Sequence, residues 1–160
     1  MNLVSTVIAI SLTAMAIGAG ISYVNPSAQA TAETTAVIAG GFQTLAQAYQ
    51  SRQMTGAPPP DAASWQSALF PAYGSEPKPP TGMSWSYGVN AAGRWFCLTA
   101  PKVSAAQRSA FASVAKRYAA ASYQVSASCG DGAAAASASP AASPGGDSLS
   151  ATLWVAREAP

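Results

Sequence analysis

The chain begins with a stretch of almost wholly apolar residues that lasts until Val24. The first charged side chain is Glu33, so no lysine or arginine lies close to this stretch. At 1.5 Å per residue, about 24 helical residues extend ~36 Å, enough to cross a ~30 Å hydrocarbon layer. The pattern predicts a helix buried on every side, in lipid or among other copies of the chain.

Beyond this stretch the pattern becomes amphipathic, and we expect residues 1–55 to form one long helix whose hydrophobic half is 1–28. In the second half, Phe42, Leu45 and Tyr49 share one face at helical spacing, while glutamines occupy the other face. The apolar face is predicted to pack on a globular head that comprises the rest of the chain, residues 56–160.

Four segments of the head alternate apolar and polar side chains, as half-buried strands do. They are residues 83–89 and 94–99, which are predicted to form a hairpin, 123–127, and 149–155. The predicted fold class is therefore α+β, with the long N-terminal helix packed on an antiparallel sheet of about four strands.

Two shorter helices are expected in the head. Asp61 is a candidate N-cap for a helix that ends at Leu69. Ser104 and Gln107 have the spacing of a capping box, and the helix that they start is predicted to run to about Ala121.

Composition narrows the functional classes. Only 9% of the residues are charged and there is no histidine. The carboxylates are scattered, and neither a nucleophile elbow nor a glycine-rich phosphate loop is present, so we expect no enzymatic activity and no cofactor or metal. No basic cluster favours nucleic acid as the primary partner. For Arg108, Lys116 and Arg117, a solvated helix face is favoured over a contact with an anionic partner.

The two cysteines, Cys97 and Cys129, lack the spacing of a metal or thioredoxin-like motif. A single disulfide is favoured over two buried thiols, and it indicates an oxidising compartment. Closing a loop of this length would stabilise the fold by roughly 3–4 kcal/mol, because the bond restricts the conformations of the unfolded chain.

Four aromatic side chains cluster in the predicted hairpin: Trp85, Tyr87, Trp95 and Phe96. They are interpreted either as the core of a small sheet or as a stacking surface for glycan or nucleic acid. The core is the favoured interpretation.

The apolar N-terminus has three interpretations. Ala28-Gln29-Ala30 is a signal-peptidase type of site, although the basic region that precedes a signal peptide is missing. A plain membrane anchor fits the length. With an anchor or a signal peptide, the chain would be a membrane-anchored or secreted periplasmic binding domain whose site is formed by the aromatic strands. The third interpretation is an assembly helix that packs against other copies, since its glycines and serines suit close helix packing.

The third interpretation resembles the type IV pilins. Their mature chains start at the first residue of a long apolar helix, after a prepilin peptidase has removed a short basic leader. Met1 and Leu3 match the family's usual start, and Met1 is similar to the type IVb branch. The family usually has a glutamate at the fifth position, which pairs with the N-terminal amine of a neighbour. This chain has Ser5, a departure that it shares with some minor pilins and pseudopilins.

The resemblance implies a pilin-like fold and a homo-oligomeric helical filament on the bacterial cell surface. The chain would be anchored in the inner membrane before the pilus assembly machinery incorporates it, with a methylated N-terminal amine. A surface receptor or a phage is a candidate partner of the filament, and adhesion is one candidate role. The residues assigned to the assembly helix are Met1, Leu3, Ser5, Val7, Ile8, Leu12, Ile17 and Ile21.

Further features follow from the sequence and from the resemblance. Gly18, Gly20 and Pro26 are predicted to kink the long helix, as in a bent membrane helix. The resemblance implies instead that the stretch between Gly18 and Pro26 unwinds in the filament. The low-complexity segment 130–148 is predicted to be a surface loop that buries little. Its serines Ser137, Ser139 and Ser143 are candidate acceptors of O-linked sugar, although an unmodified loop is the favoured interpretation. By the resemblance, the chain between the two cysteines is a candidate filament surface.

Overall fold

The computed structural model describes residues 26–131 and 148–157. They form an α+β fold in which one long helix and a shorter helix pack on a four-stranded antiparallel sheet. This confirms the predicted fold class. The elements in chain order are α1 (Pro26–Met54), α2 (Trp65–Leu69), β1 (Ser84–Asn90), β2 (Gly93–Ala100), α3 (Ala105–Ala115), β3 (Tyr123–Ser126) and β4 (Leu149–Arg157).

The strand order in the sheet is β1-β2-β4-β3, so the last strand of the chain lies inside the sheet. Leu153 of β4 pairs with Phe96 of β2 on one side and with Tyr123 of β3 on the other. The predicted hairpin is confirmed, since β1 pairs with β2 along the whole length of β1 and Asn90 lies opposite Gly93. β4 is the longest of the four strands, and both of its edges are paired.

The predicted apolar face of the long helix is buried against the sheet. Phe42, Leu45 and Tyr49 have no exposed surface. The Phe42 ring meets Trp85 of β1 edge-on at 4.9 Å and Tyr123 of β3 at 5.6 Å between ring centroids. One helical face therefore contacts aromatic side chains from both edge strands, a geometry that is favourable for aromatic rings.

The capping box at the start of α3 is present. The Gln107 amide donates to the Ser104 hydroxyl oxygen at 3.2 Å, and the Ser104 amide donates to the Gln107 side-chain oxygen at 2.9 Å. Two backbone donors that the first helical turn leaves unpaired are thereby satisfied.

The predicted end of α3 was wrong, because the helix stops at Ala115 rather than near Ala121. The amide of Arg117 donates to the carbonyl of Val114 at 2.9 Å, three residues back, which tightens and ends the last turn. The chain then turns so that the Tyr118 ring stacks on Tyr123 at 5.5 Å.

The predicted N-cap of α2 was also wrong. The helix starts at Trp65 after Ser64, whose side chain makes no capping hydrogen bond. Asp61 lies three residues before the cap position, and its backbone carbonyl accepts from the Ser64 amide at 3.2 Å. Its carboxylate is therefore not in the place from which an N-cap side chain reaches the first helical amides.

Candidate assembly surfaces

The first described residues of α1 extend beyond the part of the helix that packs on the sheet. Residues 26–30 are all exposed, whereas Ile38 and Phe42 have no exposed surface. Pro26 is the first described residue of the helix, so the predicted kink at Gly18, Gly20 and Pro26 involves residues outside the described part of the chain. In the sequence, the apolar stretch directly precedes this exposed part of α1.

The outer face of α1 carries no charge over most of its length. No charged residue occurs between Glu33 and Arg52. The exposed positions within that stretch include Ala36, Val37, Gly40, Gln43, Gln47 and Gln50. A helix whose outer face meets only water usually carries charged side chains there, so this face has the composition of a surface suited to packing.

Arg52 fixes the other end of α1. Its Nε donates to the carbonyl of Pro58 and its Nη1 to the carbonyl of Ala68, each at 2.8 Å. The guanidinium also lies 5.9 Å from the centre of the Tyr73 ring. Sequence reasoning missed this role, although a cation in the last turn of a helix is itself a signal for contacts with backbone carbonyls.

The predicted disulfide between Cys97 and Cys129 is present. Cys97 is fully buried on the face of the sheet that points away from α1. The Cys129 sulfur lies 3.2 Å from the hydroxyl of Thr99 and 3.8 Å from that of Ser86. The bond therefore joins β2 to the chain that follows β3, in a setting of hydroxyl groups.

Residues 127–131, here called the disulfide segment, cover part of this far face. The Gly130 amide donates to the Thr152 hydroxyl at 3.1 Å, and the Gly130 carbonyl accepts from the Asn90 side chain at 2.8 Å. Gly130 is buried at a positive φ of 70°, and a side chain there would collide with Trp95. This corrects the predicted surface loop at its first residue, since Gly130 is part of the packed structure.

The aromatic residues of the hairpin separate into two groups. Tyr87 and Phe96 are buried in the core and Trp85 packs against it, which confirms the favoured interpretation for these three. Trp95 lies on the opposite face because successive strand residues point to opposite sides. The four side chains therefore do not form one stacking surface.

Burial also raises the pKa values of three tyrosine side chains in and beside the core. It raises the pKa of Tyr87 to about 12, and it raises the pKa values of Tyr118 and Tyr123 above the ordinary range for tyrosine. All three side chains are therefore neutral at physiological pH.

Two grooves lie along α1, the first between α1 and α3 and the second between α1 and the turn that follows α3, and Arg117 lines both. The first has a volume of about 510 Å³ and the second about 430 Å³. The first is lined by Ser27, Ala28, Thr31, Ala32, Thr35, Ser109, Ser113 and Arg117. The second is lined by Ala39, Gln43, Ala46, Gln47, Gln50, Arg117 and Tyr118. Of the three residues in the predicted basic patch, Arg108 and Lys116 line neither of these two grooves.

Within residues 26–131 and 148–157, no helix has the length and apolarity needed to cross a membrane, and no three potential ligands cluster as a metal site would require. The assembly-helix residues lie outside the described part of the chain, as do Gly18, Gly20 and the candidate glycosylation sites. The latter are Ser137, Ser139 and Ser143.

The chain was compared with models of protein families, with curated proteins and with solved structures, and none of the three comparisons found a match.

Proposed function

We propose that this chain is a structural subunit of a type IV pilus-like extracellular filament, built by burying its apolar N-terminal segments in a common core. The observation that carries the proposal is the arrangement of α1. One face of the helix is buried on the sheet, residues 26–30 are exposed, and the sequence before Pro26 is largely apolar and uncharged. Such a subunit buries one face of the helix on its own head domain, and its apolar N-terminal segment remains to pack against other copies of the chain. This arrangement is suited to polymerisation.

Two further observations support this proposal. The uncharged outer face of α1 would desolvate at little cost when it meets a neighbouring subunit, because burying a charged side chain is far more expensive. The disulfide between Cys97 and Cys129 suits a head that works outside the reducing cytoplasm. We propose inner-membrane anchoring before assembly and the cell surface afterwards.

The alternative within the same class is a minor pilin or pseudopilin, part of a tip or a secretion complex. Ser5 favours it, because serine cannot supply the charge that the usual glutamate offers to a neighbour's N-terminal amine. A paired buried charge of that kind specifies register in some assemblies. The two alternatives differ in abundance, since a major subunit would dominate the purified filament.

The deciding experiment is the mass of the N-terminal peptide from material sheared off intact cells. A peptide that starts at Met1 with a methylated amine is the expected result, and it would mean processing by a prepilin peptidase and assembly. A peptide that starts at Thr31 would mean a cleaved signal peptide and would overturn the proposal. The proportion of this chain in the sheared material separates the major from the minor subunit.

A further inference from the structure

The first groove between α1 and α3 has an unusual lining. Three hydroxyl residues on α1 follow one another at intervals of four, Ser27, Thr31 and Thr35, and therefore share one side of the helix. Ser109 and Ser113 lie opposite them on α3. The groove is thus walled by hydroxyl groups from two helices.

These hydroxyl groups differ in whether they already donate a hydrogen bond within the described part of the chain. Thr31 donates to the carbonyl of Ser27 at 2.8 Å, and Thr35 to the carbonyl of Thr31 at 2.6 Å. Ser109 and Ser113 donate to no other side chain or carbonyl in the described part of the chain. Their two hydroxyl groups are available as donors to a ligand.

The charged side chain that lines the first groove is a cation, Arg117. Arg117 closes the groove, with an exposed guanidinium that no hydrogen bond holds to another described residue. Among the described residues no carboxylate lines the groove, since Glu33 is two positions from both Thr31 and Thr35 and lies on another side of α1. Hydroxyl donors beside one unpaired guanidinium suit an oxygen-rich anion, and arginine matches phosphate geometry especially well.

The groove also lies close to the apolar stretch of the sequence. Ser27 is three residues from Val24, and residues 27–35 cover about 12 Å of helix axis. A bilayer's polar layer is roughly 5–7 Å thick on each side of the hydrocarbon core. If the apolar stretch crosses that core, the start of the groove lies at the level of the lipid headgroups.

We propose that this groove binds a phosphate ester, supplied by the headgroup of an anionic membrane lipid while the subunit is still in the bilayer. The inference rests on the proposed function, because it requires the membrane-anchored stage. Ser109 and Ser113 donate to the phosphate oxygens, and Arg117 neutralises the charge. The bound lipid thereby orients the head on the membrane surface before assembly.

The test uses the full oxidised chain in nanodiscs of phosphatidylcholine, with or without phosphatidylglycerol. Lipids that stay bound after gentle release into detergent are counted by native mass spectrometry. The expected result is retention of phosphatidylglycerol in preference to phosphatidylcholine. Arg117→Ala should weaken this retention about tenfold, as the loss of a charge-assisted hydrogen bond does. Lys116→Ala, which removes an exposed neighbouring cation outside both grooves, should change it less than about twofold.

A second arm separates lipid from free phosphate. Glycerol 3-phosphate is added to the chain in phosphatidylcholine nanodiscs, and its binding is measured by the exchange of α3 backbone amides. Protection that depends on Arg117 at low concentration would identify a soluble phosphate ester as the ligand, and would overturn the assignment to a lipid.

The outcomes also separate the site from the proposed function. A chain that does not enter the nanodiscs contradicts the membrane-anchored stage itself. A chain that enters, but retains both lipids equally or loses phosphatidylglycerol as readily in Lys116→Ala as in Arg117→Ala, refutes the site and leaves the filament proposal standing. Circular dichroism of each variant shows whether the fold is intact.

Discussion

Replacing Gly41 by alanine tests how closely α1 approaches the sheet. A Cβ atom at Gly41 would lie 3.1 Å from Cη2 of Trp85, and nearer still to Cζ2. Such approaches are tighter than ordinary packing, so the tryptophan or the helix must move. Trp85 cannot shift freely because its ring meets Phe42 edge-on at 4.9 Å.

The neighbouring glycine provides a matched control. A Cβ atom at Gly40 would meet nothing within 4 Å. Both glycines lie inside α1, where alanine is favoured over glycine by roughly 0.5–1 kcal/mol. Overpacking costs typically 1–3 kcal/mol. We therefore expect Gly40→Ala to stabilise the fold and Gly41→Ala to be about 1–3 kcal/mol less stable than Gly40→Ala.

The assay is urea unfolding of the oxidised full chain in mild detergent, followed by tryptophan fluorescence. The difference between the midpoints of the two variants gives their relative free energy of unfolding when the slopes agree. A third variant that combines Gly41→Ala with Trp85→Phe should recover part of the loss, because the smaller ring vacates the contact. Equal stabilisation by both alanine substitutions would refute the close packing of α1 on β1.

Three further predictions concern other parts of the fold. Ser104→Ala should destabilise the protein by about 1 kcal/mol, since it removes the cap of α3; thermal unfolding measures this, and the exposed Ser109→Ala should cost clearly less. Cys129→Ser should lower the free energy of unfolding by roughly 3–4 kcal/mol, and reduction of the unmodified chain should give a similar loss; an unchanged urea midpoint would contradict this. Burial raises the pKa of Tyr87 from 10.0 to about 12, so the folded state favours the neutral phenol. The resulting stability is present below pH ~10 and is lost as the pH rises through about 12. Between about pH 9 and 12, the free energy of unfolding should therefore fall less in Tyr87→Phe than in the unmodified chain. An equal fall in both proteins would refute the raised pKa of Tyr87.

The buried face of α1 and the capping box of α3 were predicted because each depends only on residues close together in the sequence. The burial of Phe42, Leu45 and Tyr49 was predicted because helical periodicity places these residues on one face. The periodicity shows which face is buried, whatever element packs on it. The capping box at Ser104 was predicted because its two hydrogen bonds close within four residues. Both signals are complete within a short window of sequence.

Features that depend on distant partners were not predicted. The position of β4 between β2 and β3 follows from pairing across the sheet, which the alternation of Leu149 to Val155 does not specify. Burial of Gly130 depends on Trp95, which lies 35 positions earlier in the chain. The groove beside Arg117 is formed by two helices whose facing residues are small and polar, and such residues carry no sequence signal of their own.

The position of the disulfide has a consequence for the sheet. Cys97 belongs to β2 and Cys129 follows β3, and these strands are not neighbours because β4 lies between them. The bond therefore joins the two strands that flank β4. The Thr152 hydroxyl, on β4, accepts from the Gly130 amide and donates to the Cys97 sulfur at 3.7 Å. For β4 to leave the sheet, it must break its pairing on both edges while its flanking strands stay covalently linked. If the chain is a filament subunit, as proposed, this covalent link would resist the separation of β2, β4 and β3 under load.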